Sequence, residues 1–460
     1  VIESLNGLIY TIQVRLDPLF IFPFCPFNRG DSMIRRTFLR QAGALLATAP
    51  VLTPSMLKGA VQEGGTILLQ SAWATLNIGD IGHTPGTLRI IEQHLPNTHV
   101  ILWAMKLDEP VEAMLRKRFP KVEIVRGSLQ KEDAAGRKLR GAIERADLYI
   151  RNSGMGQDTS YMEYCLKVGK PFGLYGQSYF PAFVEGKQGK RHIELLNKAA
   201  FIYCRDSRTL ATLKNAGVKS PVLEFGPDGC FGIDVRDDAK GLAFLKRAGL
   251  EERKFLTIQL RTHTPTVKGV DDKRPVKLNP LHPTPRQIAD DERRAAKYRE
   301  LITAWVKKTG HKVLIAPEVH KEMEHNKRLL FDPLPSDIQG HVVNREEFWN
   351  ADEAASVFAR AHTAVCHEPH SLIIALANGT PIIHTFSEFH SPKCWMFEDI
   401  GLGEWLLEFD STPLEKMTET LFTIDADYPG ALAKVKKAMD FVHQRQASTM
   451  QVVQKQIARA

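Results

Sequence analysis

The chain has no CxxC pair and no short Cys/His spacing of the zinc type; its six cysteines (Cys25, Cys165, Cys204, Cys230, Cys366, Cys394) are scattered over 460 residues. That scatter excludes zinc sites of the finger type and reads as buried small hydrophobes, a disulfide being open only to a protein that leaves the cytoplasm. No GxGxxG fingerprint follows the first apolar strand and no Walker loop occurs, which leaves nicotinamide and P-loop chemistry unsupported. The net charge of +8 suits phosphate- or carboxylate-bearing ligands. It comes without a dense Lys/Arg run interleaved with aromatics, so nucleic acid is not an expected partner. No stretch is apolar enough to span a bilayer as a mature helix, and no internal repeat is evident.

What is present is ordinary for a globular protein: 43% apolar and 25% charged residues, with 32 Gly and 26 Pro. The length exceeds what one core usually organises, so two domains are expected. The front end reads as an address. Met33, Arg35-Arg36, Phe38-Leu39 and a weakly apolar Ala/Leu run up to Ala47-Thr48-Ala49 follow the layout of a twin-arginine signal. The plainer alternative is the start of a basic amphipathic helix. Export through the twin-arginine machinery to the periplasm or cell envelope is the expectation, with a cytoplasmic protein as the alternative. Met33 is then a candidate true start, and residues 1–60 are set apart as extension and signal.

From residue 66 short apolar runs alternate with helical patterns. Strands are expected at 66–70, 100–103, 122–125, 148–150, 171–175, 255–260, 312–316, 363–365 and 381–384. Helices about ten residues long lie between most of them, which predicts parallel sheets wound on both faces. The first helix is expected after Pro85-Gly86. Residues 262–294, with five Pro and little periodicity, read as a long loop. Residues 429–458 read as a helix that packs back. The expected domains are 61–235 and 236–428, with 429–460 returning across them.

Ligands of open α/β sheets bind beyond the carboxyl ends of the strands, so the loops there hold the candidates. Asn77, Gly79 and Asp80 form a turn that either admits a ligand to a helix N-terminus or is a plain Asx-capped turn. Ser153, Gly154 and Gly156 either line a cleft or make a tight turn. Arg205 either forks onto a phosphate or carboxylate, or pairs with Asp206 on the surface while Asp206 or Ser207 caps a helix. His367, Glu368 and His370 open a helix after the 363–365 strand and suit anion binding or proton movement. Two histidines three apart would also permit a metal, but no third ligand stands at a standard spacing. Their plainer reading is Glu368 and Ser371 as caps with hydrogen-bonded imidazoles.

Taken in order, several of these pieces resemble the polysaccharide pyruvyl transferase family. They are Asn77-x-Gly79-Asp80, Pro171 through Gly176-Gln177-Ser178 to Pro181, and Arg205-Asp206 with Thr209 and Leu213 to Val218. Pro227-Asp228 with Phe231, Ala377 through Gly379 to Pro381, Pro392-Lys393 and Gly401-Leu402 follow, so the likeness runs from about residue 66 to 405. The resemblance implies a GT-B-like fold, two Rossmann-like domains with parallel sheets facing across a cleft. It implies transfer of a pyruvyl group from phosphoenolpyruvate to a sugar hydroxyl of a cell-surface polysaccharide, with no cofactor. On that likeness Arg205 holds the donor's anion, His370 acts as general acid, and Asp80 with the 153–156 loop faces the acceptor. One departure stands out: Glu368-Pro369-His370 replaces the family's usual Arg-Leu-His. A carboxylate there would repel phosphoenolpyruvate by about 1–4 kcal/mol according to burial, and Arg261 is the candidate to compensate. The alternatives are a divergent exported glycan-modifying enzyme, or a non-catalytic carbohydrate-binding protein on the same scaffold.

Overall fold

The computed structural model describes residues 64–156, 158–262, 285–387 and 391–459. The twin-arginine segment and residues 263–284 of the expected loop lie outside them. Residues 63–460 form one compact unit built on two all-parallel sheets.

The first sheet has the order β3-β2-β1-β4-β5-β6-β7. Its strands are β1 (Thr66–Ser71), β2 (His99–Ala104), β3 (Glu123–Val125), β4 (Leu148–Arg151), β5 (Phe172–Gln177), β6 (Phe201–Cys204) and β7 (Leu223–Phe225). The second has the order β10-β9-β8-β11-β12-β13. Its strands are β8 (Phe255–Gln259), β9 (Lys312–Ile315), β10 (Val342–Asn344), β11 (Thr363–Cys366), β12 (Ile382–Phe386) and β13 (Leu406–Glu408). In each sheet the order reverses beside the first strand, between β1 and β4 and between β8 and β11, which opens a crevice at the carboxyl ends.

Both faces of the central strands are buried, hence their unbroken apolar runs. Ile67 and Leu69 belong to a core that continues without a break into Leu256 and Ile258 of the second sheet, whereas Leu68 and Tyr149 join a separate cluster on the other face. The shared core is why the two sheets form one unit.

Helices of eight residues or more are α1 (Ile78–His94), α2 (Glu109–Arg118), α3 (Ala134–Arg145), α4 (Ser160–Lys167), α5 (Gly186–Leu196), α6 (Ser207–Asn215) and α7 (Asp238–Ala248). They continue with α8 (Pro285–Thr309), α9 (Ala351–Phe358), α10 (Pro369–Ala377), α11 (Leu414–Ala426) and α12 (Tyr428–Ile457). Two expectations are corrected. The helix expected after Pro85-Gly86 starts at Ile78, and Pro85 lies inside it. Every residue from Ile81 to Leu88 is buried, so packing overrides the local cost of the proline. Likewise α8 begins at Pro285, so the last ten residues of the expected loop are helical; Ala295, Tyr298, Ile302 and Trp305 form its buried stripe. The strands β6, β7, β10 and β13, of three or four residues, were not expected. The final helix α12 returns to the first sheet, where Thr449 meets the Tyr175 hydroxyl at 3.2 Å. The five described cysteines are free and buried. No helix among the described residues is long and apolar enough to cross a membrane.

Candidate active site between the two sheets

Strand ends of both sheets converge on one buried polar cluster. From the first half come His83 on α1, Arg205 after β6 and Asp228 after β7; from the second come Arg261 after β8, Glu318 and Glu322 after β9, His367 to Ser371 after β11, and Lys393 after β12. The halves are stitched together here. The Ile78 N–H donates to the Glu318 carbonyl at 3.0 Å, and the His320 N–H donates to the Leu76 carbonyl at 2.9 Å.

The α1 turn is built for this contact. The Asn77 side chain caps the helix, accepting from the Gly79 N–H at 2.8 Å and the Asp80 N–H at 3.4 Å. Gly79 packs directly on His370, and a Cβ there would overlap the imidazole. The glycine therefore serves a close approach between helices, while Asp80 sits half-buried in the first turn.

Arg205 is 1% exposed and does not present its guanidinium to a ligand. Its Nη1 binds Asp228 at 2.5 Å, and its Nε donates to Ser178 at 2.8 Å. The expected surface pair with Asp206 is also replaced, because Asp206 turns away to cap α6 by accepting from the Thr209 N–H at 2.6 Å. Asp228 further meets His83 Nδ1 at 2.9 Å. Burial alone would raise the Asp228 pKa, but His83 and Arg205 outweigh it and hold the carboxyl well below its usual range.

His370 lies between two acids. Its Nε2 is 3.9 Å from Asp228 and its Nδ1 is 3.4 Å from Glu318, both beyond ordinary hydrogen-bond length. Its ring meets His83 edge-on at 4.7 Å. Burial, and then the nearby Lys393, keep this imidazole neutral, well below its ordinary pKa. Glu318 accepts from the N–H and the hydroxyl of Ser371, each at 2.8 Å, which leaves its Oε1 without a partner. Burial and then the Glu368 carboxylate push Glu318 up to about 7. Burial and then Glu318 push Glu322 up to about 8. Glu368 itself is bridged by Arg261 and by Lys393, the latter at 3.1 Å. Burial opposes its charge, but these two cations hold it ionised, well below the usual range. The arrangement separates a fixed carboxylate, Glu368, from a proton-holding acid, Glu318, that faces a neutral imidazole.

A cavity of about 160 Å³ opens on this cluster, walled by Arg261, His367, Glu368 and Lys393 from the second half and by Met155 and Phe180 from the first. His370 is not among the residues that line it. Of the 153–156 loop, Met155 reaches the cavity. Ser153 is buried and accepts from the Gly229 N–H at 2.8 Å, Gly154 packs on Trp73, and Gly156 packs on Arg151. Two sets, His83–Asp228–His370 and Glu318–Glu368–His370, bring possible metal-ligand atoms within 4.8 Å of one another. Arg205 already matches the charge of Asp228, and Arg261 with Lys393 outweighs that of Glu368, so neither carboxylate offers an uncompensated charge to a further cation.

Four members of the cluster were not picked out as site residues from the sequence: His83, Asp228, Glu318 and Glu322. Glu318 did carry a signal, since it follows the 312–316 strand in the kind of loop where ligands bind. His83 was hidden by Pro85-Gly86, which made its helix read as a loop. Asp228 was visible only within a resemblance motif.

No curated protein matches the chain. Among solved structures it is similar to Anabaena HepE in complex with UDP-glucose, with 12% identity over 86% of this chain and 98% of that one and a TM-score of 0.51. It is also similar to S. aureus MnaA with UDP (11% identity, 81% and 91% covered, TM-score 0.51). A third likeness is to Medicago truncatula UGT71G1 with UDP-glucose (10% identity, 86% and 99% covered, TM-score 0.50). At such identities these likenesses concern the fold, which is GT-B-like. The profile of one family covers the helix that carries Asn77 and His83, the buried Arg205–Asp228 pair and the His367–Ser371 segment, matching residues 77–385; the chain belongs to the polysaccharide pyruvyl transferase family.

Proposed function

We propose that this polysaccharide-modifying transferase moves a pyruvyl group from phosphoenolpyruvate to hydroxyls of a cell-surface polysaccharide, forming a ketal. The observation that carries this reading is the pair of cations, Arg261 and Lys393, on the wall of the inter-sheet cavity. With Glu368 ionised between them, the three side chains leave one net positive charge for a small anion. The donor's carboxylate and phosphate compete with Glu368 for these cations, and displacing Glu368 opens the way to His370. Glu318, which titrates near neutral pH, supplies a proton to that imidazole. The proton passes to the donor's methylene carbon, and a sugar hydroxyl adds to the adjacent carbon. A second hydroxyl then replaces phosphate. One hydroxyl proton is balanced by the new methyl group, and the other leaves with inorganic phosphate.

Arg205, bound to Asp228, belongs in this scheme to the scaffold that fixes Asp228 beside His83 and His370. Export by the twin-arginine route remains part of the proposal, resting on Arg35-Arg36 and the run that follows. Phosphoenolpyruvate is cytoplasmic, so the donor would be bound before export. A non-catalytic sugar-binding role is the second reading, favoured by the absence of His370 from the cavity lining; His370→Ala would leave a binder's sugar affinity intact and abolish an enzyme's turnover. Calorimetric titration with phosphoenolpyruvate tests the first reading. Saturable binding, weakened at least about tenfold (~1.4 kcal/mol) by Lys393→Ala, supports it. No binding at millimolar donor refutes it.

A further inference from the structure

Outside this cluster, the carboxyl ends of β1 and β4 hold a second arrangement that the fold does not require. Arg151, the last residue of β4, is 5% exposed, yet no carboxylate among the described residues lies within ion-pair distance of it. Its Nη1 donates to Gln70 Oε1 at 2.8 Å. Its guanidinium lies 4.7 Å from the ring centre of Trp73 and 4.9 Å from that of Tyr161, and its Nε has no hydrogen-bond partner. The hydroxyl of Tyr179, close enough to respond to the Arg151 charge, is also buried without a partner. Asp158 reaches this cation only from beyond ion-pair distance, so the charge rests on an amide, tyrosine side chains and the indole face, without a direct counter-ion. Its planar fork is the geometry that recognises carboxylate.

Two backbone features shape this place. Ala72, between β1 and Trp73, has φ +59°, a left-handed conformation that disfavours a side chain; here it carries the half-buried indole to the crevice. Gly156 lies against the guanidinium, and a Cβ there would overlap Arg151. Leu76 and Met105, in the loops after β1 and β2, are exposed by 39% and 41%, and the Met105 sulfur meets Gln70, the amide that holds Arg151, at 3.2 Å. An indole suits the flat face of a sugar ring. Met155, in the loop that crosses Arg151, walls the donor cavity.

We propose that Trp73 and Arg151 form the acceptor subsite and select an acidic saccharide, stacking a sugar ring on the indole and binding its carboxylate at the guanidinium. This rests on the reading of the protein as a transferase with a sugar acceptor, and it names the class of that acceptor.

The test titrates the full chain with a glucuronic-acid-containing tetrasaccharide and with its carboxyl-reduced neutral counterpart, followed by tryptophan fluorescence. Phosphoenolpyruvate binding is measured separately by calorimetry. The acidic form is expected to bind at least tenfold more tightly than the reduced form. Arg151→Gln should erase that difference, Trp73→Leu should weaken both sugars, and neither variant should change donor affinity. Equal affinities for the two sugars in the unaltered protein, or no binding of either at millimolar concentration, overturn the proposal even where donor binding persists. Absent donor binding with the acidic preference retained overturns the pyruvyl-transfer reading and leaves this subsite standing. Should Arg151→Gln fail to fold, the comparison of the two sugars on the unaltered protein and on Trp73→Leu still decides.

Discussion

Replacing Glu368 by Gln removes the one negative charge that the described residues place on the cavity wall, while keeping the side chain's size. In the unliganded protein this should be costly. Lys393 lies 3.1 Å from the carboxylate, and both side chains are largely buried, at 15% and 7% exposure. Breaking such a pair by removing one partner costs roughly 3–5 kcal/mol. The Arg261 side chain is 35% exposed and can recover part of its hydration, so a loss of about 2–4 kcal/mol is expected. For an anion the sign reverses. Its carboxylate competitor is gone, and the wall changes from one net positive charge to two. At roughly 6 Å and an effective dielectric constant of about 20–40, the lost repulsion is about 1.4–2.8 kcal/mol, or roughly ten- to a hundredfold in affinity. Binding at 100 times Kd would then return about 2.7 kcal/mol of the lost stability. The assays are denaturant unfolding with and without phosphoenolpyruvate, and calorimetry with phosphoenolpyruvate and inorganic phosphate. A variant as stable as its parent, with unchanged or weaker anion binding, would show that Glu368 neither holds the two cations nor competes with the donor.

Two further predictions concern the residues around that carboxylate. Glu322 titrates at about 8 in the folded protein against an ordinary 4.5, so the folded state binds more protons in between; the stability this gives is full below about 4.5 and is lost as pH rises through about 8. Glu318 acts in the same sense through about 7. Glu322→Gln, whose amide oxygen can still accept from the Glu318 and Val319 N–H groups, should match the parent near pH 5.5 and exceed it by roughly 2–4 kcal/mol near pH 9. Parallel urea-midpoint profiles across that range would refute the assignment. Gly79→Ala should destabilise by about 1–3 kcal/mol despite alanine's better helix propensity, because its Cβ meets the His370 ring. An unchanged or raised unfolding midpoint would mean that the two helices can part without cost.

The fold was legible where burial on both faces leaves an unbroken apolar run, as in residues 66–70 and 255–260. It was illegible where an element is too short to carry a pattern, as in the three-residue strands β7, β10 and β13. It was also misread where a local breaker is overruled by packing, as at Pro85. The site divides differently. The place to look followed from strand ends, and His367 to His370 stood there with a composition that chemistry could recognise. The partners were another matter. Arg205 has Asp206 beside it in sequence, yet that carboxylate faces the α6 N-terminus and Asp228 takes the guanidinium. Glu368 looked like a repulsive charge because nothing local showed that Lys393 would join Arg261 on it. Each case turns on which buried charges are brought within about 4 Å, where the attraction can offset desolvation. That distance is set by the two sheets meeting, not by spacing along the chain. A sequence can therefore indicate that a strand-end loop bears acid and base while leaving open which carboxylate is neutralised and which keeps a proton. Here that difference, Glu368 held ionised and Glu318 titrating near neutral pH, is what the proposed division between anion binding and proton transfer rests on.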